Sequence, residues 1–305
     1  MEAGQSLELA WYAYDRDFDQ TRPRVAVAER LFAILSLFLF SDALIPLLHR
    51  QAGFEGTEVE GDPIQQICWF AIYFVTFVLI SRSPHRTLRA VLRDKWALLI
   101  TGLAFASAIW SPAPLVTLRH CVGLIGTTLF AAYIASRYDA REILDLLFTA
   151  LSLVGLLSLA FVLLLPAYGI HHADVHDGLW RGVFTGKNHL GRIMALYGVV
   201  CIACMRDKSH TRAKYCAGIL LAALLAFKAQ SMTALGVVVT TPLLILFLMV
   251  FRLRPLYSVP LFLVTAVAAL AAGMVAWANA GLILTGVGRD MTLTGRTVLW
   301  AAVLQ

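Results

Sequence analysis

The sequence predicts an all-α fold, a polytopic bundle of about nine transmembrane helices with the N-terminus in the cytoplasm. Three observations predict it. The 305 residues are 59% hydrophobic and only 14% charged, with mean hydropathy +0.75, too apolar for a soluble domain of this size. The apolar residues come in runs of roughly 17–25, the length that crosses a bilayer core, and not in the short alternating segments of a β-barrel. Lys and Arg are distributed unevenly between alternate connecting segments, as the positive-inside rule requires of a chain that weaves through a membrane.

Residues 1–29 mix acids and bases and read as a cytoplasmic leader. The first apolar run starts near Leu31 and is long enough to remain as an anchor, so it is not a cleavable signal peptide. The predicted spans are 30–48, 63–81, 96–111, 115–136, 143–166, 189–205, 215–231, 234–251 and 257–278. The third is short and the fourth opens on Arg119 and His120, which makes that hairpin the weakest of the set. Residues 30–278 form the transmembrane domain, 167–188 an outward loop within it, and 279–305 the start of an outward-facing region. On the leader's side lie 17 of the 25 Lys and Arg; the other side has Arg50, Arg119, Arg181, Lys187, Arg192, Lys228, Arg289 and Arg296. The leader's side is therefore read as cytoplasmic. The net charge of +6 is mostly this topology signal, so nucleic acid is not an expected partner. The five cysteines fall in or at the ends of spans. Cys201 and Cys204 form a C-x-x-C inside an apolar helix and read as small packing residues rather than a redox or zinc pair. No repeat of fixed period is present, which leaves an inverted-repeat transporter without support.

The most informative stretch is "RGVFTGKNHLG", residues 181–191, between the fifth and sixth spans. It places Arg181 and Lys187, with Arg192 just beyond, where lipid penalises cations. Asn188 is expected to cap the sixth span, with Gly186 freeing the turn. A helix N-terminus offers unpaired N–H groups and partial positive charge, and so favours anions. Arg192, four residues after Asn188, shares its helical face. Phosphate or pyrophosphate suits such a corner, since guanidinium binds its oxygens in pairs. Ordinary interfacial anchoring, with Trp180 as a belt residue and the cations reaching headgroups, is the competing reading. Arg119, Arg289 and Arg296 are further outward cations that could join the site; Arg119 has the same interfacial alternative.

Other features are read more simply. "KAQSMTALG", 228–236, marks an outward turn whose Ser231 and Thr233 cap helices or bond between them. "HHADVHD", 171–177, is rich in His and Asp but lacks a helical pattern, and reads as a solvated loop before a metal site; no metal or other cofactor is expected. Asp42, inside the first span, either carries protons or bonds to a neighbouring helix. There is no Walker A, G-x-S-x-G or H-E-x-x-H motif.

"WRGVFTGKNHLG", "QSMTA" and "GRDMTLTGRTVLW", in this order, resemble the O-antigen ligase and polymerase superfamily (the Wzy and WaaL type), most of all its ExoQ-type exopolysaccharide production proteins. The likeness runs from about Trp110 to the last residue. It implies a metal-independent, inverting membrane glycosyltransferase acting on the outer face of the bacterial inner membrane. The donor would be a glycan on undecaprenyl pyrophosphate, and the acceptor another lipid-linked repeat, or a lipid-A core or other acceptor. Membrane lipids and other polysaccharide export or assembly proteins are the further partners implied. Arg181, Lys187, Asn188 and Arg192 fall on one family block and Arg289 and Arg296 on a later one. Gly186 stands where many relatives carry His, so no role is assigned there. The resemblance also implies a catalytic His beyond Gln305, in a sequence that stops inside an apolar pattern; the 305 residues are therefore expected to be a C-terminally truncated and catalytically incomplete form. A transporter or export-complex subunit for anionic or lipid-linked glycans is the alternative that uses the same cations.

Overall fold

A computed structural model describes residues 26–43, 63–82, 84–172, 178–205 and 212–231, and scattered positions from 234 to 274. The described elements are all helices, and the only β feature among them is an isolated antiparallel bridge between Ile170 and Trp180. In order they are α1 (Val27–Phe40), α2 (Pro63–Ser81), α3 (Pro84–Arg93), α4 (Lys95–Ser107), α5 (Pro114–Arg137), α6 (Ala140–Leu164), the single turn α7 (Pro166–Gly169), α8 (Lys187–Cys204) and α9 (Arg212–Lys228). The chain divides into two units, Met1–Val239 and Thr240–Gln305. The described residues of the second are too scattered to trace an element, and the eighth and ninth predicted spans lie largely outside the described residues.

Local chemistry explains the boundaries. Pro63, Pro84, Pro114 and Pro166 each open a helix, where a missing N–H costs nothing and the fixed φ suits the first turn. Asp94 starts α4 by accepting from the Ala97 N–H at 3.0 Å. Asp139 and Glu142 close a reciprocal capping box at the head of α6. One connection gains a helix, and one predicted span is shortened. Residues 84–93, read as part of a cytoplasmic connection, form α3; Thr87 is buried against α5 and bonds Ser136 at 3.2 Å. The third predicted span, 96–111, is helical only over 95–107, and turns follow at 108–110.

α5 and α6, with 24 and 25 residues, are long and apolar enough to cross a bilayer; the apolar parts of α2 and α4 are shorter. α4 has no buried residue, and Leu99, Ile100 and Leu103 are exposed, as are Phe70, Phe74 and Phe77 on α2. Apolar faces this open require cover. For helices of this composition the cover is lipid, and the chain has the character of a membrane protein.

Packing concentrates elsewhere in the first unit. One core gathers Phe38 of α1, Leu151 and Val154 of α6, Val183 and Phe184 of the loop, and the inner faces of α8 and α9. A second joins Ala33 of α1, Ile72 of α2, Phe130, Tyr133 and Ile134 of α5, and Leu146 of α6. α1 and α6 thus belong to both cores. Between lipid-surrounded helices, close van der Waals packing and hydrogen bonds hold the bundle, since burial gains little over lipid. Ser152 and Tyr197 supply one such bond between α6 and α8, at 2.9 Å.

The two ends of the bundle can be told apart. Glu29, in the first turn of α1, pairs with Arg137, the last residue of α5, at 2.9 Å. Asp42, just past the end of α1, lies 3.7 Å from His189 near the start of α8. The charge count over the loops assigns the same opposite ends to these pairs.

Candidate anion site at the head of α8

The loop between α6 and α8 is built by backbone bonds and one buried cation. After α6, Pro166 starts the turn of α7. The His171 N–H donates to Leu179 O and the Gly178 N–H to His171 O, both at 2.9 Å, so the two arms of the loop run side by side. The Arg181 and Gly182 N–H groups both donate to Gly169 O, at 2.9 and 3.0 Å. The Arg181 side chain then turns back over α7: its Nε donates to Tyr168 O at 2.8 Å and its Nη2 to Ala167 O at 3.4 Å. The residue is 7% exposed, and burial pushes its pKa down from the ordinary value. Carbonyls left open by a short helical turn are thus met by the guanidinium.

Gly182 is required by this path. Its φ is +61°, and a Cβ there would meet the Ser158 side chain at 2.6 Å. Ser158 is itself fully buried, and its Oγ receives the Val183 N–H at 3.5 Å. Val183 and Phe184 follow with no exposure, anchoring the strap before it turns into α8.

The cap of α8 differs from the expected one. Gly186, with φ −138° and ψ 149°, is the N-cap; its carbonyl accepts from the His189 and Leu190 N–H groups at 3.1 and 3.3 Å. Asn188 is already the second residue of the helix and has no capping role. The backbone leaves its extended path two residues earlier than the sequence suggested, because the buried strap ends at Phe184. No side chain caps this terminus, a geometry in which helix N–H groups favour an anion. Lys187 is half-buried at the first position; Asn188 and Arg192 are exposed on one face.

A second motif meets the first here. The end of α9 brings Lys228 Nζ over the Trp180 ring, 5.6 Å from its centroid. The following turn carries Gln230 at φ +49° and buries Ser231 at 6% exposure. A Cβ on Gly191 would collide with Ser231 and meet Ala234 at 3.4 Å. The RGVFTGKNHLG and QSMTA segments, some forty residues apart, therefore pack directly on one another. Lys228 is a cation of this corner that the sequence reading left aside; its only signal was its place beside the second motif.

Other expected site residues are placed differently. Arg119 is half-buried in the second turn of α5, a helix packed mainly on α2, α3 and α4. Arg289 and Arg296 lie outside the described residues, as do Asp174, His176 and Asp177 of the His-rich loop. His171 is buried, and exposed His172 lies with Nε2 3.1 Å from Pro166 O. Among the described residues no group of His, Cys, Asp and Glu is arranged to hold a metal ion. Cys201 and Cys204 are both buried in α8 among apolar neighbours, which is the packing role expected of them.

Comparison with known proteins gives one curated relative. The chain is 28% identical over 246 residues to the exopolysaccharide production protein ExoQ of Rhizobium meliloti (strain 1021), covering 77% of this chain and 54% of the relative. The chain thus spans about half the length of the curated relative it matches. No family model matches it, and no solved structure does. The ExoQ-like character expected from the motifs is borne out.

Proposed function

We propose that this ExoQ-like chain acts in exopolysaccharide production as a membrane glycan polymerase or ligase. It transfers an oligosaccharide from undecaprenyl pyrophosphate to an acceptor on the outer face of the inner membrane. The observation that carries this reading is the meeting of the two motif segments at the head of α8, which no side chain caps, with Lys187 and Arg192 in its first two turns and Lys228 on the adjoining segment. In such a transfer the acceptor oxygen bonds to the anomeric carbon as the bond to pyrophosphate breaks. The bonding electrons leave with the pyrophosphate, so negative charge grows on the leaving group. Cations and N–H groups fixed in advance stabilise that charge in the transition state. Arg181 contributes indirectly, by holding the strap that delivers Lys187.

The motif likeness makes Arg289 and Arg296, outside the described residues, further candidates for binding pyrophosphate, and the loop charges support an outward-facing α8 head. The test is genetic. Lys187→Ala or Arg296→Ala in the chromosomal gene should lower cell-surface polymer by about tenfold or more, the loss of a charge-assisted hydrogen bond, while the lipid-linked repeat unit accumulates. Unchanged polymer yield and length in both variants would exclude the site.

A further inference from the structure

At the same end of the first unit, three side chains from three elements meet without a part in holding pyrophosphate. Asp42 follows the end of α1, Gln65 lies in the first turn of α2, and His189 is the third residue of α8. Asp42 has φ +59°, a left-handed turn that Asp and Asn adopt more readily than other residues with a side chain. Its Oδ1 accepts from Gln65 Nε2 at 2.6 Å, and its Oδ2 lies 3.7 Å from His189 Nε2. The imidazole is in turn stacked on buried Phe184, with centroids 5.6 Å apart and planes 18° from parallel. The Asp42 and His189 side chains remain 25% and 31% exposed, open enough for a ligand to reach.

This arrangement fits a polyhydroxylated ligand. A carboxylate offers about four acceptor directions, so Asp42 can keep its protein partners and still receive a sugar hydroxyl. The imidazole adds donor and acceptor capacity, and neighbouring sugar hydroxyls each donate and accept. A negative centre here is wrong for pyrophosphate but right for hydroxyl groups. We infer that Asp42, Gln65 and His189 form a glycan-hydroxyl subsite beside the anion corner, one that orients the sugar portion of the substrate. The inference rests on the glycan-transfer reading above and deepens it. Asp42 binds the substrate's hydroxyl; Gln65, which donates to its Oδ1, is a positioning residue.

The test places Asp42→Asn, His189→Gln and, as a control, Lys187→Gln in the chromosomal gene. It measures surface polymer, the lipid-linked repeat unit that co-purifies with the protein, and the melting temperature. Asp42→Asn keeps the shape and an oxygen for Gln65 but replaces an acceptor oxygen with a donor. Asp42→Asn and His189→Gln are expected to lower polymer by about tenfold, with folding and co-purified lipid-linked donor as in wild type; Lys187→Gln should lose the donor. Wild-type polymer from folded Asp42→Asn and His189→Gln, while Lys187→Gln fails, overturns the subsite and leaves the transfer reading intact. No effect from any of the three overturns the transfer reading itself. Loss of donor with Asp42→Asn would assign the cluster to pyrophosphate, and loss of folding would make it a tie between helices; either result overturns the subsite.

Discussion

The two ends of the first unit handle charge in opposite ways. At one, the Glu29 carboxylate takes Nε and Nη2 of Arg137, at 2.9 and 3.2 Å, and the Tyr133 hydroxyl at 3.3 Å. Tyr138 is buried nearby, and the capping box of Asp139 and Glu142 starts the next helix. Charge there joins α1, α5 and α6. At the other end, Arg192 and Lys228 are exposed around an uncapped helix terminus, and the described carboxylate, Asp42, already receives Gln65. A cation beside its anion is structure; exposed cations near a helix N-terminus that no side chain caps suit a ligand. Arg181 shows that position alone does not decide: it stands at the second end but has a structural use, as Arg137 has, in its case on backbone carbonyls.

The comparison can be broken most severely at Gly182. Gly182→Ala should cost about 3 kcal/mol, combining left-handed strain with overlap on Ser158, read as a lower melting temperature in detergent. Adding Ser158→Gly should recover the overlap part only; full recovery would mean the backbone at 182 is not strained. Arg181→Ala comes next, at about 1–3 kcal/mol, because the Tyr168 and Ala167 carbonyls lose their donor. Arg181→Lys should not rescue it, since no Nε remains at the Tyr168 contact. If Arg181→Ala melted as wild type while glycan transfer vanished, its assignment as a brace would be wrong and direct ligand contact right.

The opposite end gives smaller effects. Glu29→Gln should cost about 1 kcal/mol, limited because both partners retain contact with solvent, and should leave donor binding unchanged. Tyr138→Phe should be neutral or slightly stabilising near pH 7, since the buried hydroxyl has no hydrogen-bond partner among the described residues. Its pKa is pushed up to about 12, by burial first and then by Glu29. The raised value means that the neutral phenol stabilises the fold fully below pH 10, and that this contribution is lost as pH rises through about 12. Tyr138→Phe should therefore flatten part of the alkaline loss of stability measured between those values. An unchanged slope would place that loss elsewhere.

Much of the helix inventory was legible because run length and loop charge follow directly from the cost of polar groups in lipid. α2 and α5 fall where the apolar runs put them, to within a residue at each end. α3 was missed because its arginines read as a cytoplasmic connection, although Pro84 and the spacing of Leu88, Val91 and Leu92 suit an amphipathic helix, whose Thr87 bonds Ser136 of α5. The cap of α8 was misplaced because a favourable Asn is a local signal, whereas the strap through Val183 and Phe184 sets where the backbone turns. The site was legible as two separate motifs. That Gly191 rests on Ser231, and that Asp42 reaches His189, are tertiary facts that no spacing in the sequence encodes.

The most direct measurement is the amount of polyprenyl-pyrophosphate-linked glycan that co-purifies with the Lys187→Gln/Arg192→Gln protein relative to Glu29→Gln, each produced from the chromosomal gene. If charge at the α8 head is kept for the leaving group, the double variant should retain at most about one-tenth of the wild-type lipid, as expected from losing charge-assisted hydrogen bonds, while Glu29→Gln retains all of it. Equal lipid in both proteins would contradict an anion site at the head of α8.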